Sequence, residues 1–126
     1  MSGPRILVVD DHPTNLKLLS FVLEARGFEV ITARDADEAR AALDGELPAL
    51  VLMDIQLPRV DGLTLTRSLR SEERFARLPI VAVTAYAMES DRQAAREAGC
   101  TDFVSKPIDT RALGALVTRL VEGGAP

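Results

Sequence analysis

The stretch Leu50-Val51-Leu52-Met53-Asp54-Ile55-Gln56-Leu57-Pro58 decides the fold. An unbroken apolar run delivers a single carboxylate, and a proline follows shortly after. Such a run reads as a strand buried on both faces, as in a parallel sheet covered by helices. A charge inside that strand would be heavily disfavoured, so Asp54 belongs at its exit. In open α/β sheets the carboxyl ends of the strands are where ligands and chemistry gather. Asp54 is therefore a candidate active-site group, and the question is what the other strands bring to the same edge.

Upstream, Arg5-Ile6-Leu7-Val8-Val9 is a first buried strand and ends in Asp10-Asp11. Pro13-Thr14-Asn15 then opens a helix to about Arg26, where proline suits the first turn. Leu16, Leu19 and Leu23 form its apolar stripe, widened by Leu18 and Val22. Gly27 followed by Phe28 has the form of a glycine C-cap with its hydrophobic contact. Glu29 to Ala33 is a short second strand. Asp35 with Glu38 forms an acidic capping box for a helix to about Leu43.

Downstream of Pro58, Asp61-Gly62 reads as a turn and Leu63 to about Ser71 as a third helix. The charged residues from Glu72 to Arg77, ending at Pro79, read as a solvated connection. Ile80 to Val83 is a fourth buried strand and delivers Thr84. Ser90 with Gln93 is a capping box for a fourth helix that Gly99 closes. Asp102 to Ser105 is a short fifth strand and delivers Lys106-Pro107. Leu113, Leu116, Val117, Leu120 and Val121 give the last helix, Thr110 to about Glu122, its core-facing stripe. Five alternations of strand and helix predict one α/β domain spanning residues 1–126. Its expected form is a flavodoxin-like parallel sheet of order 2-1-3-4-5 with helices on both faces.

Composition agrees with one such domain. The chain has 126 residues, 47% hydrophobic and 27% charged, enough for a single real core. No apolar run approaches the roughly 20 residues that span a bilayer, and the N-terminus lacks a signal-peptide core. Cys100 alone can form no intramolecular disulfide, which suits a reducing cytoplasm. A formal net charge of −4, with no Lys/Arg block, argues against nonspecific nucleic-acid binding.

Aligning the strand exits brings Asp10, Asp11 and Asp54 together, with Thr84 and Lys106 on the far side. Carboxylates held that close repel one another and raise at least one pKa unless a cation compensates. A hard divalent cation with oxygen ligands solves this, and Mg²⁺ takes few protein carboxylates and keeps several waters. A lysine and a hydroxyl opposite would suit a phosphoryl group. A carboxylate can itself be a nucleophile toward phosphorus. The chemistry suggested is metal-assisted phosphoryl transfer onto Asp54.

Four segments carry a resemblance to a known family: Val8-Val9-Asp10-Asp11, Met53-Asp54-Ile55-Gln56-Leu57-Pro58, Val83-Thr84-Ala85 and Ser105-Lys106-Pro107. In order and spacing they resemble the CheY-like receiver domain of two-component response regulators. Ile55-Gln56-Leu57-Pro58 and Thr84-Ala85-Tyr86-Ala87-Met88 look most like single-domain regulators of the DivK type. The resemblance implies that Asp54 accepts a phosphoryl group from a histidine kinase or histidine phosphotransfer protein. It implies Mg²⁺, with Mn²⁺ able to substitute, held by Asp10, Asp11, Asp54 and the Gln56 backbone carbonyl; whether Asp11 binds directly or through water stays open. Thr84, Ala85 and Lys106 would bind the phosphoryl group, Thr84 and Phe103 would switch together, and the Lys106–Pro107 peptide would be cis. Gln56 and Tyr86 would flank the path of water and tune the lifetime of the acyl phosphate. Phe103 lacks the hydroxyl of the family's tyrosine, so switching there would rest on packing.

The resemblance also implies a cytoplasmic switch, monomeric or weakly dimeric when phosphorylated, that neither binds nucleic acid nor enters a membrane. Its readout would be the face of the fourth helix, fifth strand and fifth helix. No output segment fits after Glu122, so output passes through a protein partner unless the chain was cut from a hybrid histidine kinase. An aspartyl-nucleophile phosphatase would carry a second aspartate where Gln56 stands. A flavodoxin-like cofactor binder would need a Ser/Thr/Gly-rich cradle where Asp10-Asp11-His12-Pro13-Thr14 stands. A degenerate receiver would lack the intact acidic set.

Several residues also have plainer readings. Asp10-Asp11 can be a charge pair at a helix N-terminus, and Thr84 a β-branched strand residue. His12, the only histidine, reads as a surface residue at the mouth of the site rather than a ligand. Cys100 reads as a small packing residue. The arginines from Arg67 to Arg77, with Arg92 and Arg96, read as solvated helix faces, the last two bordering the partner surface.

Overall fold

In the computed structural model, which describes residues 3–85 and 88–123, five strands alternate with five helices. The strands are β1 (Arg5–Val9), β2 (Glu29–Ala33), β3 (Leu50–Asp54), β4 (Ile80–Thr84) and β5 (Asp102–Ser105). The helices are α1 (Pro13–Glu24), α2 (Ala36–Asp44), α3 (Gly62–Arg70), α4 (Glu89–Ala98) and α5 (Thr110–Gly123). All four strand pairings are parallel and the order is β2-β1-β3-β4-β5, as the alternation predicts.

Continuous apolar runs become central strands because both faces find a helical partner. Every residue of β3 and β4 is buried. The pleat sorts alternate residues into two cores. Leu7, Val9, Val51, Met53 and Ile80 pack with Ala39 and Leu43 of α2 and Leu65 and Leu69 of α3. Ile6, Val8, Leu50, Leu52 and Val81 pack with Leu16, Leu19 and Leu23 of α1 and Leu113 and Val117 of α5. The edge strand β5 is only half-buried throughout, and β2 nearly so.

Several local expectations are corrected. Asp61-Gly62 is a helix start rather than a turn: the Asp61 side chain accepts from the Thr64 amide and caps α3. The connection after α3 is not simply solvated, because its short 3₁₀ turn, Glu73–Phe75, buries Phe75 in the core. An isolated aromatic among charges carries no periodicity, so its destination was not visible. Arg70 is no free surface arginine either. Its Nε donates to the Gly99 carbonyl at 2.8 Å and its Nη1 to the Phe75 carbonyl at 2.6 Å. Arg74 likewise donates to the Leu43 carbonyl.

The helix starts show similar refinements. Asp35 caps α2 through the Glu38 amide, but the Glu38 carboxylate reaches one residue further back, to the Arg34 amide. Helix α4 begins before Ser90; Asp91, not Gln93, closes the box by accepting from the Met88 amide. Gly99 ends α4 in the left-handed conformation, φ 106°, where glycine alone lacks a steric cost. On α1, Leu18 does not widen the buried face and is 44% exposed, as is Phe21 at 74%.

One glycine couples this scaffold to the strand that matters most. A Cβ on Gly62 would stand 2.4 Å from the Asp54 carbonyl oxygen and 2.9 Å from Ile55 Cα. Both neighbours are backbone, so nothing yields cheaply, and α3 can dock only with glycine here. Gly62→Ala should therefore destabilise the domain by about 1–3 kcal/mol, read as a lower urea midpoint with unchanged slope. An unchanged midpoint would contradict this packing.

Candidate functional site

The exit of β3 sets the site. Asp54 is its last residue and is 1% exposed, so it lies at the strand end and is nevertheless buried. The ladder continues through it: the Ile55 amide donates to the Val83 carbonyl of β4. Each carboxylate oxygen has its own donor. The Gln56 amide donates to Oδ1 at 2.9 Å and Lys106 Nζ donates to Oδ2 at 3.1 Å. Burial pushes the Asp54 carboxyl above the usual carboxylate range; the Gln56 amide and Lys106 pull it back, while the charge of Asp10 raises it further.

Strand β1, the neighbour of β3, delivers the acidic pair. Asp10 is 2% exposed and its oxygens accept from the His12 amide at 2.8 Å and from Asn15 Nδ2 at 3.3 Å. It thus also orders the entry to α1, so the plain reading of a charge at a helix N-terminus describes part of its role. Asp11 is partly exposed, but its Oδ1 is buried and accepts no hydrogen bond. His12 is exposed, as a residue at the mouth should be, yet its Nδ1 lies 3.3 Å from Asp10 Oδ1 and 3.1 Å from Asp11 Oδ1. Asp10, Asp11, His12 and Asp54 each offer a ligand atom, all within 4.8 Å of one another. A buried carboxylate oxygen without a donor, in a set rich in hard oxygen, fits a divalent cation.

Strands β4 and β5 deliver the remaining groups. Thr84 is buried at the end of β4 and pairs in register with Ser105, while Ala85 beyond it is exposed. The Lys106 amide donates to the Thr84 carbonyl at 2.7 Å, which holds the start of the β5–α5 loop against β4. The Lys106–Pro107 peptide is cis. Phe103 lies on β5, with the Arg92 guanidinium carbon 5.2 Å from its ring centroid, a cation–π contact. Tyr86 lies outside the described residues. The association missed in the sequence is that of His12 with the acidic pair; its adjacency to Asp11 was the available signal. The Cys100 thiol is pushed up by burial, in keeping with a packing role.

The sequence matches the response regulator receiver domain family over residues 6–118. The chain belongs to that family. It is 42% identical over 103 residues to the polar-differentiation response regulator DivK of Brucella ovis, covering 82% of this chain and 84% of the relative. Among solved structures, one from Chloroflexus aurantiacus assigned as a response regulator is 32% identical with a TM-score of 0.91, covering 96% of this chain and 99% of that one. The receiver domain of sensor histidine kinase PA1611 from Pseudomonas aeruginosa is also 32% identical, TM-score 0.87, with coverage of 96% and 99%. That domain holds a magnesium ion in its active-site cleft. The chain is thus a two-component signalling receiver with the family's acidic phosphorylation pocket, and its upstream partner class is a histidine kinase. No helix among the described residues is long and apolar enough to cross a membrane.

The burial of Asp54 has a consequence for stability. Its pKa is higher in the native state than in the unfolded chain, so between those two values the native state holds the extra proton. Stability therefore falls as pH rises through that window and stays lower at neutral pH. In chelator-treated protein, Asp54→Asn should melt above wild type at neutral pH. The difference should shrink as pH drops below the native pKa of Asp54. A variant less stable than wild type at neutral pH, or a difference independent of pH, would contradict the assignment.

Proposed function

We propose that Asp54 is the phosphoryl acceptor of this receiver and that its modification switches a protein-binding surface. The observation that carries this reading is the buried Asp54 carboxylate with Lys106 on one side and Asp10 and Asp11 on the other. A carboxylate oxygen of Asp54 attacks phosphorus in a phosphohistidine of the kinase or phosphotransfer protein. The new bond is O–P, the broken one is P–N, and the histidine leaves with the electron pair and regains a proton. Lys106 passes from Asp54 to a phosphoryl oxygen, with the Thr84 hydroxyl and the Ala85 amide donating to the others. Asp10, Asp11, Asp54 and the Gln56 carbonyl would hold Mg²⁺, which would neutralise charge on the transferring group.

The product carries more negative charge and more acceptor oxygens than the carboxylate it replaces. Thr84 moves toward it and Phe103 turns into the space vacated, which alters the face of α4, β5 and α5. That face carries Arg92 over Phe103, Arg96 beside Glu89, and Arg119 near Asp102. It suits an acidic or amphipathic protein target. Gln56 and Tyr86 set the lifetime of the phosphoryl group, and the cytoplasm is the compartment.

Incubation with Mg²⁺ and acetyl phosphate tests the reading by intact mass. Wild type should gain one phosphoryl group, removable by hydroxylamine, and Asp54→Asn should gain none. Labelling that persists in Asp54→Asn, or none in wild type, would overturn it.

A further inference from the structure

We propose that His12 is a direct ligand of the cation in this pocket, so that the site favours first-row transition-metal ions over Mg²⁺. The inference rests on reading the acidic pocket as a cation site and goes beyond it in naming the ligand and the class of metal.

The geometry comes first. The His12 amide is anchored on Asp10 Oδ1 at 2.8 Å, which fixes the residue at the rim of the pocket. Its ring then turns back, placing Nδ1 3.3 Å from Asp10 Oδ1 and 3.1 Å from Asp11 Oδ1. Two ligand atoms bound at right angles about 2.1 Å from one octahedral cation lie about 3 Å apart. Nδ1 is therefore spaced from each of the two carboxylate oxygens as a neighbouring ligand of one ion would be. Asp54 joins the same group: Asp10, Asp11, His12 and Asp54 each offer one ligand atom, all within 4.8 Å of one another.

The hydrogen bonding agrees. Asp11 Oδ1 is buried and accepts no hydrogen bond, although Nδ1 stands beside it. Nδ1 is hydrogen-bonded with Asp10 Oδ1 instead, a contact that a shared cation would replace while also serving Asp11 Oδ1. The ring is 64% exposed, so binding a metal at one nitrogen leaves the other in water at little desolvation cost.

Ligand chemistry then decides the metal. Carboxylate, carbonyl and water suit Mg²⁺ and Mn²⁺, whereas imidazole suits later first-row ions, and Mn²⁺, unlike Mg²⁺, stands at the foot of their affinity series. An all-oxygen pocket already follows that series. One imidazole in the set sharpens the preference.

The test uses tag-free, unphosphorylated protein stripped with chelator. Mn²⁺ affinity is read from the free-ion electron paramagnetic resonance signal, and Mg²⁺ affinity by competition. His12 is the only histidine in the chain, so imidazole nitrogen modulation in the electron spin echo of bound Mn²⁺ has one source. Wild type should show that modulation. His12→Ala should lose it and bind Mn²⁺ about tenfold more weakly or worse, the scale at which changes around a metal are felt, with Mg²⁺ affinity unchanged. His12→Ala affinities that fall equally for both ions, stay the same, or rise because the ring had blocked the pocket would each overturn the proposal while leaving the cation site standing. Wild type that binds neither ion would overturn the cation site itself.

Discussion

A buried carboxylate with too little positive charge around it is the constraint on which this structure turns. Asp10, Asp11 and Asp54 face one ammonium, that of Lys106, which leaves two negative charges uncompensated. Unit charges about 4 Å apart interact by roughly 4 kcal/mol at an effective dielectric constant of 20. One lysine cannot offset such repulsions among three groups held this close. The deficit of two charges equals the charge of a divalent cation. Burial is the main cause that pushes the Asp54 carboxyl up, and the charge of Asp10 adds to it.

The fold creates that imbalance and also contains it. Parallel strands buried on both faces must end together, and their carboxyl ends share one edge. Asp54 is reached from β1 by the acidic pair and from β5 by Lys106. Gly62 brings α3 against the Asp54 backbone, so the helix that covers one core also closes the back of the site. An acyl phosphate at Asp54 would shift the charge balance again, and the same edge carries Thr84 and, one strand further, Phe103 under Arg92.

The strands and the constellation were legible because burial leaves a period in the sequence and because five strand exits align whatever the loops do. β1, β2, β3 and β5 have the limits read from their residues, and β4 extends one residue to include Thr84. What was not legible depends on partners far along the chain. Phe75 is buried because α3 and the sheet leave room for it, a fact that its charged neighbours conceal. Arg70 is engaged because the end of α4 presents a carbonyl to it. Leu18 has helical spacing suited to burial, but the core stripe of α1 is already filled by Leu16, Leu19 and Leu23. Ser90–Gln93 is a sound capping pattern displaced by the pair Met88–Asp91, two residues earlier. His12 looked exposed and is exposed; only its ring direction ties it to Asp10 and Asp11.

The most direct measurement of this buried, under-compensated carboxylate is a carbon-13 NMR titration of the Asp54 side-chain carboxyl, with chelator and then with a saturating divalent cation. The account predicts a midpoint above the ordinary carboxylate range in chelator, falling when the cation is added. A midpoint at or below that range in chelator, unmoved by the cation, would show that Lys106 alone balances the site and would contradict it.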